Sequence, residues 1–136
     1  MQLKDLMIDS KSTWIDFPGM KGFSVEVVNL SKKELISLRK KCTTQKFDRK
    51  LRMATEQLDE ELFTSLFTKA TIKGWKGLKL AYLESLILVD IGDADLDSEL
   101  EFNQENSELL VSNSPEFDNW LNEVIYDLDN FRPRRD

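Results

Sequence analysis

Apolar and polar residues alternate along Phe23-Ser24-Val25-Glu26-Val27-Val28, so Phe23, Val25 and Val27 share one face and Glu26 takes the other. A second β-rich run, Trp14-Ile15-Asp16-Phe17, precedes it. Between them Pro18-Gly19-Met20-Lys21-Gly22 suits a turn of more than two residues. These runs predict an N-terminal β-hairpin with one buried face. Phe47, Arg49, Leu51 and Met53 alternate with Asp48, Lys50 and Arg52, which suggests a third strand, although the same stretch also suits the start of a helix.

Elsewhere the apolar spacing is helical. Ser31-Lys32-Lys33-Glu34 forms a capping box, with Leu30 and Leu35 as the hydrophobic staple, and predicts a helix over about 32–41 that buries Leu35, Leu38 and Cys42. Leu58, Leu62, Phe63, Leu66, Phe67 and Ala70 predict the next, over 58–70, with Asp59, Glu60 and Glu61 in its first turn where acids favour the helix dipole. Gly74-Trp75-Lys76-Gly77 then loosens the backbone around an indole that needs a pocket and a partner for its N–H.

A helix over 78–89 is apolar on more than one side, so it is either central to the core or presents a surplus face to a partner. After an acidic loop from Asp90 to Glu101, a short helix spans 103–112. Ser114-Pro115-Glu116 starts the last, whose stripe runs Phe117, Trp120, Leu121, Val124, Ile125, Leu128 and Phe131. The expected fold is α+β and mainly α-helical, an N-terminal hairpin packed on a bundle of about five helices. We assign one domain to residues 1–131 and a short basic tail to 132–136.

Charge divides the chain. Residues 1–80 carry 16 Lys and Arg against 10 Asp and Glu, and residues 81–136 carry 3 against 15. The halves are therefore +6 and −12, a separation that can orient a partner or a second copy and that disfavours sequestration by nucleic acid. The bland alternative is two solvated faces of one domain. No apolar run approaches the roughly 20 residues that span a bilayer, and Met1-Gln2-Leu3-Lys4-Asp5-Leu6 does not read as a leader. No membrane or nucleic-acid partner is expected.

The 136 residues contain no histidine, which removes the side chain that titrates near neutrality and every Ser-His or Cys-His nucleophile. The lone Cys42 excludes an internal disulfide and reads as a structural thiol at a helix end. An enzyme is not expected, nor any cofactor. Asp93, Asp95 and Asp97 match the first carboxylates of a calcium loop, but Ser98 stands where the turn needs Gly and Gln104 where it needs Glu, so no metal site is assigned. Trp75, Trp120 and Phe131 suit either core or contact.

The order of anchors resembles one family. Phe23-Ser24-Val25-Glu26-Val27, Ile72-x-Gly74-Trp75-x-Gly77-Leu78, Phe102-Asn103-Gln104-Glu105-Asn106 leading to Leu109-Leu110, and the Phe117-to-Phe131 helix together look like the tail assembly chaperones of long-tailed bacteriophages. Phe102-Asn103 departs from the usual pair at that place, and the acidic loop looks longer than usual. The resemblance implies a chaperone without a catalytic centre that keeps the tape measure protein soluble and helps recruit tail tube protein. It would act in the cytoplasm of the infected bacterium and be absent from the mature virion.

In many members a ribosomal frameshift adds a C-terminal extension, so a longer form of the chain is a further partner that the resemblance admits, beside self-association as a homo-oligomer. A groove that accepts an apolar helix is then expected around Trp75, Leu80, Leu83, Ile87 and Trp120. The competing expectation is a structural virion component at the tail or head-to-tail junction, closing a ring through its oppositely charged halves.

Overall fold

A computed structural model describes residues 1–133; Arg134, Arg135 and Asp136 of the expected basic tail lie outside the described residues. Along the chain run α1 (Leu3–Leu6), β1 (Ser12–Asp16), β2 (Ser24–Val28), α2 (Lys32–Cys42), β3 (Thr43–Asp48) and β4 (Met53–Leu58). There follow α3 (Glu60–Thr71), β5 (Ile72–Lys76), α4 (Leu80–Leu86), α5 (Gln104–Asn113), α6 (Pro115–Tyr126) and a 3-10 turn at Leu128–Asn130. The fold is α+β and mainly helical, as expected.

β1 and β2 form the hairpin, and β5 joins the far side of β2 to give an antiparallel sheet of order β1-β2-β5. Ile15, Val25 and Trp75 lie in one row across it. The Trp-Gly segment is therefore a strand and not a loosened connection. A bulge opposite Glu26 and Val27 leaves Lys73 out of register, so Ile72 and Trp75 both reach the buried face although they are three residues apart. On the opposite face the Trp14 indole lies over Gly74, where a Cβ would meet it at an ordinary contact distance of 3.7 Å, and the Lys76 ammonium lies 4.8 Å from the centre of the Trp14 ring.

The third strand expected over 47–53 is instead two, β3 and β4, which among the described residues pair only with each other. Residues 49–52 are the turn between them. Asp48 Oδ1 accepts hydrogen bonds from the backbone N–H of Lys50 at 2.8 Å and Leu51 at 3.4 Å, shaping a turn that contains neither Gly nor Pro. The alternation there reflects polarity and not burial, because Phe47, Leu51 and Met53 all stay in solvent.

Capping residues set the helix starts. Ser31, Asp59, Asn103 and Ser114 each accept from a backbone N–H in the first turn of α2, α3, α5 and α6. α3 packs between α2 and α5, and α6 packs against α5. α6 closes over the sheet through Phe117 and Trp120, which join Phe17 and Phe23 in an aromatic cluster with Phe17 to Trp120 centroids 5.0 Å apart. The last helix expected to reach Phe131 stops at Tyr126; Asp127 then caps the 3-10 turn.

Candidate functional site

The residues expected to line a groove are interior ones. Trp75, Leu83 and Trp120 are buried, and Leu80 and Ile87 are half-buried against the same core. The Trp75 indole N–H donates to the carbonyl of Leu100 at 3.0 Å, and its ring meets Phe102 edge-on at 5.1 Å. Of the five, only Leu80 and Ile87 keep part of their side chains in solvent.

The apolar surplus on the 78–89 segment has a local cause. Its helix is short, and the acidic loop folds back along it: Leu80 N–H donates to Ser98, Ala81 N–H to Leu96, and Leu100 N–H to Leu78. That return buries faces that a free helix would show. Leu88 beyond the helix is fully exposed.

Within the loop, the Asp95 carboxylate accepts from the Asp97 backbone N–H, and Asp97 lies 3.8 Å from the Lys79 ammonium. Among the described residues no three metal-ligating side chains converge. Cys42 is buried at the junction of α2 and β3.

Exposed apolar side chains gather instead on two segments. The first is the β3–β4 arm. From Thr44 to Gln57 every residue is exposed except the half-buried Asp48, and Phe47, Leu51 and Met53 are each at least 60% exposed. Pairing places Thr43, Gln45 and Phe47 on one face with Leu58, Glu56 and Ala54. That face and α2 bound a cleft of about 590 Å³ lined by Ile36, Arg39, Lys40, Thr43, Gln45, Glu56 and Leu58. Its rim is mainly basic, and Ile36 is 47% exposed on its floor. Sequence reasoning missed the arm; the threonines at 43, 44 and 55, with an Asp before the turn, were the available signal.

The second segment is the N-terminus, where Met7 and Ile8 lie across a cleft of about 450 Å³ from Leu128 and Phe131. It is tied down where the Ser10 hydroxyl donates to Glu34 Oε1 at 2.9 Å. Partial burial works to raise the Glu34 pKa, but bonds from the hydroxyls of Ser10 and Ser31 and the Ser31 backbone outweigh it and hold the carboxyl below its ordinary 4.5. Beside α2, burial lifts the Tyr126 phenol above its ordinary 10.0 against the opposing pull of the Arg39 charge.

No helix among the described residues is long and apolar enough to cross a membrane. No protein-family model, curated protein or solved structure matches this chain.

Proposed function

We propose that this protein is a non-enzymatic tail assembly chaperone of a long-tailed phage, which holds the tape measure protein soluble in the infected cytoplasm and helps recruit tail tube protein. The observation that carries the reading is the β3–β4 arm. A filled core leaves it outside, and it offers Phe47, Leu51 and Met53 to solvent, Phe47 on the face of the arm that bounds the Ile36 cleft. Apolar side chains kept in water on a projecting element suit a protein that covers another protein's apolar surface. The ordered resemblance around Trp75, Phe102 and Phe117 supplies the identity of the partner.

The contact surface proposed is therefore the α2–arm cleft and not the neighbourhood of Trp75. The test is co-expression with the tape measure protein of the same phage. Rescue of its solubility, lost in Ile36→Asp and Phe47→Asp while both variants remain folded, is the expected result. Leu83→Asp, placed in the core, unfolds instead. Absence of any complex, with the protein recovered in mature tails, would replace the chaperone by a virion component.

A further inference from the structure

The β3–β4 arm is a sheet of two strands with both outer edges unpaired among the described residues. A lone hairpin is marginal in water, and an open edge is a template for another strand. The two edges differ. β3 carries Lys46 and Asp48, whereas β4, Met53-Ala54-Thr55-Glu56-Gln57-Leu58, carries one charge and neither Pro nor Gly. β4 is the less protected edge.

We propose that β4 pairs antiparallel with β4 of a second copy, joining two arms into a four-stranded sheet across a two-fold axis. Residues opposed in such a pair must lie on the same face, so the axis passes through a residue and not between two. Centring on Glu56 would set two carboxylates against each other. Centring on Thr55 sets Thr55 against its own copy, Glu56 against Ala54, and Met53 against Gln57, with no like charges opposed.

The same register has a consequence beyond the strands. Counting outward, Arg52 falls beside Leu58 of the second copy, which brings the basic turn of residues 49–52 to the end of the partner strand that leads into Asp59-Glu60-Glu61. Arg49, Lys50, Arg52, Glu60 and Glu61 are all exposed, and none of them forms an ion pair among the described residues. Glu60 and Glu61, with Glu108, border a shallow cleft of about 250 Å³ between α3 and α5 that could receive the turn. Arg52 holds φ at 49°, where Gly or Asn would sit without strain, so a cation is kept at the tip against local conformational preference. Two-fold symmetry makes this basic-to-acidic contact twice.

The pairing uses the outer edge of the arm, leaves its cleft-side face free, and does not rest on the chaperone reading. Sedimentation of the full chain should show a dimer whose dissociation constant rises about tenfold or more between low and high salt, as screening weakens the exposed charges. Arg49→Glu/Lys50→Glu/Arg52→Glu should be monomeric, and so should Glu60→Lys/Glu61→Lys. Mixing the two should restore a dimer, a rescue that misfolding could not produce. Thr55→Cys should cross-link to its own copy on mild oxidation, while Gln57→Cys should not. A wild-type monomer at about 100 μM, far above the affinity range of a specific complex, or a dimer unchanged in both charge variants, would overturn the proposal. A dimer in which Thr55→Cys fails to cross-link would overturn the register.

Discussion

A side chain on Gly77 would collide with the carbonyl oxygen of Gly22. Gly77 has φ at 75°, and its Cβ position falls on the backbone of the β1–β2 turn, where the chain leaving β5 crosses the hairpin. Gly77→Ala should therefore destabilise by at least about 2 kcal/mol, combining left-handed strain with a backbone clash that no rotamer relieves. Gly92→Ala, at φ 61° with open space around it, isolates the strain alone and should lose about 1 kcal/mol. Urea midpoints of the two variants check the comparison.

The hydroxyl of Thr68 is fully buried in α3 and has no hydrogen-bond partner among the described residues. Thr68→Val keeps the shape and removes the unpaired group. A gain of about 1 kcal/mol in urea unfolding is expected, since an unsatisfied buried hydroxyl costs more than its bonds in water return.

The Trp75 N–H to Leu100 bond fastens the acidic loop to β5. Trp75→Phe removes that donor and part of the packing, with an expected loss of about 2 kcal/mol. Hydrogen exchange should localise the effect: the amides of Leu80, Ala81 and Leu100, which bond across the loop, should lose protection before those of β1 and β2.

Glu34 has a lowered folded pKa, so its bonds to Ser10 and Ser31 contribute stability above the unfolded value near 4.5 and lose it as pH falls through the lower folded value. Glu34→Gln should flatten that segment of the stability curve on the acid side. The same variant should free the Ser10 segment, read as faster exchange over residues 7–11 near neutral pH.

The elements legible in sequence are those whose signals are local. Ser31 and Ser114 cap the helices that their neighbours predict, and the Phe23-Val25-Val27 face is buried as its alternation implies. β5 was hidden because a bulge breaks the period of two between Ile72 and Trp75, and a bulge depends on the partner strand. The arm was hidden because its alternation does not correspond to burial. The apolar excess of the 78–89 segment was ambiguous for a related reason: residues 96–100 fold back onto Leu78, Leu80 and Ala81, and that path depends on bonds made after the chain turns back. Exposure of Phe47 and Leu51 is likewise a tertiary fact, invisible to composition.

Asp59 N–H donates to Cys42 C=O at 2.7 Å, fastening together the two points where the arm leaves and rejoins the helices. For the rest of the molecule, residues 43–58 are a detour that starts and finishes at one place. Such an excursion can change length or tip chemistry without altering the distance the core must bridge. The arm's length and tip chemistry can thus vary while the residues that fold the protein stay as they are.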